Sequence, residues 1–169
     1  MGFVAPPVPK LHDACDPHSF IVSNNAVTVG IFTDIGLACQ HVIKHFKQCH
    51  AAFLESNYDA EMLEEGKYPY HLKNRIRGGN GHLSNSQALK LFIDHRPSFM
   101  SHLLLSHLSK NNNDPLLVEN MFTRKAGRTK IVIASRFQET EVYHVRNLQS
   151  RNRRAPEKVR THFQLSLFQ

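Results

Sequence analysis

Three residues whose side chains bind metal ions lie beside short apolar runs of the sequence. His12 stands near the start, Asp34 follows the run 27–32, and His107 follows the run 102–106. Imidazole and carboxylate groups suit zinc or manganese, and one aspartate can bridge two ions. Such paired ions activate water and stabilise charge on a phosphoryl oxygen. The three residues together indicate a hydrolytic metal site, although each histidine taken alone is more typical of an ordinary hydrogen-bonded residue.

The elements that position these groups follow from the spacing of apolar and turn residues. Alternating patterns predict strands over 20–23, 27–32, 51–54, 102–106, 129–134 and 141–145. Helical spacing, with Ser84 or Asn85 as one capping residue, predicts helices over 37–50, 59–65, 69–77, 84–93 and 114–125. Strands that alternate with helices predict a layered α/β fold. The polar groups then lie at strand ends, where α/β proteins collect their catalytic residues.

Five motifs that occur in order along the chain carry a resemblance to a known family. They are His12-Asp-Ala-Cys-Asp16, Thr33-Asp-Ile-Gly36, Leu54-Glu-Ser-Asn-Tyr-Asp59, Gly81-His-Leu-Ser-Asn85 and Leu105-Ser-His-Leu-Ser109. The sequence from about Phe3 to Val145 resembles the YycJ/WalJ-type metallo-β-lactamase-fold hydrolases. The resemblance implies an αββα sandwich, here an incomplete C-terminal half, with a dinuclear metal site.

The same resemblance implies roles for individual residues. His12 matches a metal ligand of the family's third motif, Asp34 the bridging carboxylate, and His107 the last histidine ligand. His82 resembles a catalytic histidine that contacts the substrate phosphate or acts as acid and base. Tyr58 occupies a position where relatives carry His or Tyr. The implied cofactors are two divalent ions, zinc or manganese.

The chain departs from the family at the opening motif. No His-x-His-x-Asp-His cluster occurs in the sequence, and that motif supplies the remaining ligands in the family. Each ion would keep two protein ligands, one of them the shared Asp34, whereas a catalytic zinc usually has three or more. We therefore expect weak or absent metal binding by this chain alone, and we expect an N-terminal half as a partner. Loss of that half would leave apolar sheet surface exposed.

A basic segment at the end of the chain predicts contact with nucleic acid. The net charge is +7 over 169 residues, and residues 146–169 contain six basic residues against one acidic residue. Polyanionic DNA is the simplest partner for such a segment, and a merely solvated segment is the alternative. The candidate nucleic-acid-binding residues are Arg151, Arg153, Arg154, Lys158 and Arg160.

The last residues of the chain resemble a docking peptide. Gln164-Leu165-Ser-Leu167-Phe168 is similar to the bacterial sliding-clamp-binding peptide, which places its glutamine in a polar slot and its apolar side chains in a groove. An edge strand is the alternative interpretation. We predict a metallo-β-lactamase-like domain over 1–145 and a disordered tail over 146–169.

Two weaker patterns and the cysteine content carry less information. His41, His45 and Cys49 are four residues apart, which allows a metal site on one helix face but is more typical of a solvated face. The run 78–81 lacks the lysine of a phosphate-binding loop, and its glycines predict backbone freedom beside His82. Three cysteines without CxxC spacing and no apolar stretch of membrane-spanning length indicate a cytoplasmic protein.

The leading hypothesis is a metal-dependent phosphodiester hydrolase. The resemblance implies a DNA exonuclease linked to replication or mismatch repair, incomplete as this isolated chain. A non-catalytic protein that binds nucleic acid or the sliding clamp is the first alternative. A phosphodiesterase of small molecules is the second, because this fold serves many chemistries.

Overall fold

The computed structural model describes residues 2–24 and 26–147. The strands are β1 (Pro7–Pro9), β2 (His18–Ser23), β3 (Thr28–Phe32), β4 (Ala51–Glu55), β5 (His102–Ser106) and β6 (Lys130–Ile133). The helices are α1 (Gln40–Phe46), α2 (Ala60–Glu65), α3 (Tyr70–Arg77), α4 (Asn85–His95) and α5 (Pro115–Thr123). Within these residues, no helix combines the length and apolar character needed to cross a bilayer.

All of these strands form one sheet in which spatial order follows chain order. The pairs β1–β2 and β2–β3 are antiparallel, whereas the pairs from β3 to β6 are parallel. Leu54 lies opposite both Phe32 and Leu105, which fixes the register of the three central strands. Because parallel strands end at the same edge, the residues that follow β3, β4 and β5 lie side by side. The predicted α/β fold is confirmed.

One face of the sheet packs against helices and forms the core. Phe32, Leu54 and Leu105 point to this face, where they meet apolar side chains of α1, α4 and α5. The largest of those are the fully buried Phe46, Phe92 and Phe122. Each aromatic ring buried in this way contributes on the order of 2–3 kcal/mol of transfer free energy. This layer therefore supports the sheet so that its carboxyl edge can carry a fixed site.

The segment 139–145 lies over the opposite face of the sheet. A cavity of about 110 Å³ separates this segment from the face formed by Val29, Phe53 and Leu104. The Lys130 ammonium lies 2.6 Å from a Glu141 carboxylate oxygen and holds the segment in place. Helices α1, α4 and α5 thus cover one face of the sheet, and the segment 139–145 lies over the other.

The strand predicted over 141–145 is wrong, because this segment crosses the sheet face instead of pairing with its edge. The Tyr143 ring contacts the His102 ring on that face at a centroid distance of 5.0 Å. Strand β1 was not predicted, since prolines argue against strands, but Pro7 and Pro9 are tolerated at the sheet edge. Edge position and face contact are both long-range properties that alternation of residues does not encode.

Helix boundaries follow local capping chemistry more closely than apolar spacing. The side chains of Asp59, Ser84 and Asp114 accept hydrogen bonds from the first turns of α2, α4 and α5, which confirms Ser84 as a predicted capping residue. Helix α1 is shorter than the predicted 37–50. It starts later because Leu37 forms an extended bridge with Leu11. In the turn after β2, the Asn24 side chain accepts hydrogen bonds from the N–H groups of residues 26 and 27; Asn25 lies outside the described residues.

Candidate functional site

The carboxyl edge of the sheet carries the candidate site. Asp34 follows β3, Glu55 is the last residue of β4, His107 follows β5, and His12 follows β1 on the neighbouring loop. Asp34 and His107 have φ angles of 54° and 57°. Non-glycine residues rarely adopt this left-handed conformation, although Asp and His tolerate it better than most. It turns both side chains at the strand ends back over the edge of the sheet.

Asp34 is the point at which the predicted ligands meet. Its Oδ1 atom lies 3.9 Å from His12 Nε2 and 3.6 Å from His107 Nε2. The His82 ring lies between the other two imidazoles, with centroids 5.1 Å from His12 and 5.2 Å from His107. The structure therefore brings together all four residues that the sequence assigned to the site. Their roles as ligands and catalyst stay predictions.

Glu55 is the residue of this site that sequence reasoning missed. Its side chain is fully buried, and one oxygen lies 2.8 Å from His82 Nδ1 and 2.6 Å from His107 Nδ1. Its other oxygen accepts hydrogen bonds from the N–H groups of Ile35 and Leu83. A carboxylate at the end of a strand buried throughout must have such partners, because an unpaired buried charge is too costly. The need of a buried carboxylate for such partners was therefore the signal by which the sequence could have identified Glu55.

These contacts fix which ring nitrogens are free. A carboxylate and a carbonyl oxygen only accept, so the nitrogens that face them carry hydrogen. Glu55 holds His82 and His107 through Nδ1 in this way, and the Gly81 carbonyl oxygen lies 2.8 Å from His12 Nδ1. Each neutral imidazole then keeps its lone pair on Nε2, and carboxylate-oriented histidines of this kind are typical metal ligands. Within the described residues, Asp34, Glu55, His82 and His107 form the group able to hold a cation.

The surroundings of the site lower the pKa of Glu55 and of Lys10 and raise the pKa of His107. Burial disfavours the charged form of Glu55, but hydrogen bonds from His107 and His82 outweigh it and hold the pKa of the carboxyl group below its usual value. The hydrogen bond to Glu55 raises the pKa of His107, against burial and the nearby charge of Arg136. Burial lowers the pKa of Lys10, which the charges of Asp34 and Glu55 partly offset.

A buried amide network supports the site from below. The Asn113 side chain donates to the carbonyl oxygens of Ser56 and Asn57 and exchanges hydrogen bonds with Asn85. The Asn57 side chain donates to the His107 carbonyl oxygen at 2.8 Å, which holds that left-handed residue in place. The network joins the ends of β4 and β5 to the start of α4. Asn57 and Asn85 of the sequence motifs thus fix the backbone around the site.

Gly81, in the loop that carries His82, is needed for close packing, which corrects the predicted role of backbone freedom at this position. Gly127 is the only described glycine with positive φ, so the run 78–81 needs no left-handed conformation. A Cβ on Gly81 would collide with the Arg75 carbonyl oxygen, and a Cβ on Gly36 would collide with that of Gly79. The loops of Asp34 and His82 touch through Gly36, whereas Gly81 packs against the end of α3.

Gly81→Ala is expected to destabilise the chain, because the added methyl group collides with backbone atoms. We expect a loss of at least about 2 kcal/mol in the free energy of unfolding, measured by urea denaturation. Gly79→Ala is the matched control, since a Cβ at that position would have no heavy atom within 4 Å. Equal stability of the two variants would contradict the steric explanation.

His41, His45 and Cys49, on α1 and just after it, do not form a metal-binding face. The Cys49 thiol is buried and donates to the His45 carbonyl oxygen at 3.3 Å. Burial raises the pKa of Cys49 to about 12, so its reactive thiolate form is scarce at neutral pH. This thiol therefore belongs to the core.

Thiol labelling separates Cys49 from Cys15. At pH 8 a thiol reagent is expected to modify the exposed Cys15 rapidly and to leave Cys49 intact until the chain is unfolded in urea. Mass spectrometry of digested protein assigns the label, and Cys15→Ser serves as the control. Modification of Cys49 at the rate of Cys15 under native conditions would contradict this assignment.

Two arginines flank the site and were not predicted. Arg75 on α3 lies 2.5 Å from a carboxylate oxygen of Asp13, whose other oxygen is 3.4 Å from His12 Nε2. Arg136 donates a hydrogen bond to the Leu108 carbonyl oxygen, next to His107.

Two sets of predicted binding residues lie outside the described residues. They are the nucleic-acid-binding residues Arg151, Arg153, Arg154, Lys158 and Arg160 and the clamp-binding residues Gln164, Leu165, Leu167 and Phe168.

Comparison with known proteins identifies relatives by sequence. The chain is 35% identical over 102 residues to the exodeoxyribonuclease YycJ of Bacillus anthracis, which covers 60% of this chain and 39% of that protein. It is 30% identical over 102 residues to the exodeoxyribonuclease WalJ of Streptococcus pneumoniae, again over 60% of this chain and 38% of the relative. The match thus spans well under two thirds of the length of these relatives. No family model matches the chain.

Solved structures identify the fold. The metallo-β-lactamase-fold protein YhfI from Bacillus subtilis superposes with a TM-score of 0.58 at 14% identity, over 79% of this chain and 46% of YhfI. Zinc-bound PqqB from Methylobacterium extorquens gives a TM-score of 0.51 at 14% identity, over 78% of this chain and 47% of PqqB. The predicted metallo-β-lactamase fold and the resemblance to YycJ/WalJ-type proteins are both confirmed.

Proposed function

From its relationship to the YycJ/WalJ-type metallo-β-lactamase-fold proteins, we propose that the chain carries one side of a metal-dependent phosphodiester hydrolase that cuts DNA. The observation that carries the proposal is the convergence of His12 Nε2 and His107 Nε2 on one oxygen of Asp34, at 3.9 and 3.6 Å. Hydrogen bonds to Nδ1 leave these nitrogens with free lone pairs. The names of the sequence relatives support DNA as the substrate.

The donor set suits divalent metal ions. His12, Asp34 and His107 would hold them, and zinc or manganese is compatible with imidazole and carboxylate ligands. A bound pair of such ions supplies Lewis-acid activation of the phosphodiester and of water. Glu55 keeps His107 in the tautomer that ligation requires. Lys10, which donates to the Thr33 carbonyl oxygen at 2.6 Å, fixes the backbone just before Asp34.

His82 is proposed to act on the phosphate and the leaving group. Its Nδ1 is held by Glu55, so Nε2 is the atom that exchanges a proton or donates a hydrogen bond. The side chain is 22% exposed, which leaves it accessible to substrate while the buried Glu55 carboxylate fixes the orientation of the ring. Asp34 and His82 would therefore have separate roles: Asp34 would be a negatively charged ligand of the cations, and His82 would transfer a proton.

Three ligand residues are too few for two catalytic ions, and we propose that a second polypeptide portion supplies the others. The sequence has no His-x-His-x-Asp-His motif. The sheet face beneath residues 139–145 offers an apolar surface on which such a portion would pack. Without it we expect weak metal binding and little or no catalysis.

The finer parts of the proposal concern the cellular task. We propose exonuclease action linked to replication or mismatch repair in the cytoplasm. The basic residues of segment 146–169 would hold DNA, and Gln164, Leu165, Leu167 and Phe168 would bind the sliding clamp. These assignments rest on the charge of that segment and on its likeness to a docking peptide.

Metal titration of the purified full chain tests the central proposal. Calorimetry with Mn²⁺ or Zn²⁺ is expected to detect binding that disappears in His107→Gln and persists in His41→Gln, a matched histidine on α1. Cleavage of labelled DNA is then assayed with the metal-loaded chain and with a complementing portion of a relative. Binding that is equal in both variants would overturn the site assignment.

The absence of the opening motif favours a second candidate, a non-catalytic protein that binds nucleic acid or the clamp. That candidate requires no bound metal and no cleavage under any complementation, with DNA binding intact. The small-molecule alternative requires hydrolysis of bis(p-nitrophenyl) phosphate without salt-dependent DNA affinity. The three outcomes differ in metal stoichiometry and in DNA binding, so the same preparations distinguish them.

A further inference from the structure

The turn that follows β6 places a cation and an exposed aromatic ring beside the candidate site. The Ala134 N–H bonds the Leu105 carbonyl oxygen at 2.8 Å, so the chain leaves β6 alongside the end of β5. The Phe137 N–H then bonds the Ser135 hydroxyl oxygen at 3.0 Å, which closes a local turn. These contacts fix residues 134–137 next to His107.

Arg136 is suited to bind an anion at this edge. Its guanidinium donates to the carbonyl oxygen of Leu108, the residue directly after His107. No carboxylate forms an ion pair with it among residues 2–24 and 26–147. A guanidinium has five N–H donors in a planar fork that matches a phosphate. Most of those donors stay available for a ligand at the site.

Phe137 is suited to stack on a base. Its side chain is 80% exposed, the largest value among the exposed large apolar residues of the described chain. The ring is therefore accessible to a ligand, and it directly follows Arg136 in the chain. Aromatic rings next to basic groups are the usual means of binding single-stranded nucleic acid, where rings stack on bases and cations bind phosphates.

We propose that Arg136 and Phe137 form a nucleotide-binding contact, in which Arg136 binds a phosphodiester oxygen and Phe137 stacks on the adjacent base. This contact rests on the proposed function, since it names how a single-stranded DNA end is held over His107. It adds a substrate-binding contact close to His107, distinct from the DNA contact proposed for the basic segment 146–169. A single strand fits because its bases are free to stack on the ring.

The test uses the full chain without metal, in a chelating buffer, and a dinucleotide with one phosphodiester, thymidylyl-thymidine. Its affinity is measured from NMR shifts of the protein. Arg136→Gln is expected to weaken binding about tenfold, since a charge-assisted hydrogen bond is lost. Phe137→Ala is expected to weaken it about five- to tenfold through lost stacking. Arg136→Lys is expected to fall between Arg136→Gln and the unaltered chain, because it keeps the charge without the fork.

Matched controls and a second probe make the test specific. Arg128→Gln removes the same charge at the opposite end of β6, and Ile93→Ala removes exposed apolar surface on α4; both are expected to leave the affinity unchanged. Thymidine, which has no phosphate, is expected to lose affinity with Phe137→Ala but not with Arg136→Gln. Unfolding midpoints of the variants show whether the turn is intact.

Three results would overturn the contact: no dinucleotide binding by the unaltered chain, equal losses in Arg136→Gln and Arg128→Gln, or thymidine binding that ignores Phe137. Each is read without metal or turnover. Failure of the hydrolase proposal would instead appear as absent Asp34-dependent metal binding, or as absent DNA cleavage even with a complementing portion of a relative. The two proposals therefore fail by different measurements.

Discussion

Glu55→Gln is expected to lower the free energy of unfolding by about 3 kcal/mol and to weaken metal binding by about 10- to 100-fold. The carboxylate accepts from two imidazoles and two backbone N–H groups while fully buried. Glutamine has the same shape but only one accepting atom, and its amide nitrogen would face a donor. The variant leaves buried donors unpaired and releases the ring orientation of His82 and His107.

Urea denaturation measures the first effect and calorimetric metal titration the second. Glu61→Gln is the control, because that residue is an exposed glutamate on α2 and its change is expected to cost less than about 0.5 kcal/mol. If Glu55→Gln matched this control in stability, the buried carboxylate would not be the residue that joins these loops.

Asp34→Asn is expected to abolish measurable metal binding, a loss of more than about 100-fold, while leaving stability nearly unchanged. Asparagine tolerates a φ of 54° as aspartate does, so the backbone should keep its conformation. What disappears is the negative charge on which His12 and His107 converge. The change therefore separates metal ligation from folding, which Glu55→Gln does not.

Metal titration and thermal unfolding of the same samples check this prediction. Asp16→Asn removes an exposed carboxylate from the loop that carries His12 and serves as the control. Undiminished metal affinity in Asp34→Asn would show that the cation binds elsewhere, and a large drop in unfolding midpoint would show that Asp34 has a structural task.

Elements with a local cause were predictable from the sequence. Asp59, Ser84 and Asp114 begin helices because their side chains satisfy N–H groups only two or three residues away. Asp34 and His107 were predicted together because both follow apolar strands, and parallel strands end at one edge. In each case the deciding contact lies near in sequence or follows from the α/β pattern.

Features decided by distant contacts escaped prediction. Glu55 was visible as a polar strand end, but its partners are 20 to 52 residues away along the chain. Gly81 matters through the Arg75 and Ile76 carbonyl oxygens, a contact that exists only once α3 has folded against the loop. The segment 139–145 has strand-like composition, and only the sheet face beneath it decides that it pairs with no edge.

The left-handed conformations of Asp34 and His107 have a consequence for affinity. Lys10 donates to the Thr33 carbonyl oxygen next to Asp34, and Asn57 donates to the carbonyl oxygen of His107 itself, so folding sets the direction of both side chains. A ligand then meets groups that have little conformational entropy left to lose, which strengthens association for a given set of contacts. The chain bears the corresponding strain in its native state, which makes it less stable than an equivalent chain with relaxed loops. Selection for tighter ligation at this edge would therefore work against thermal robustness.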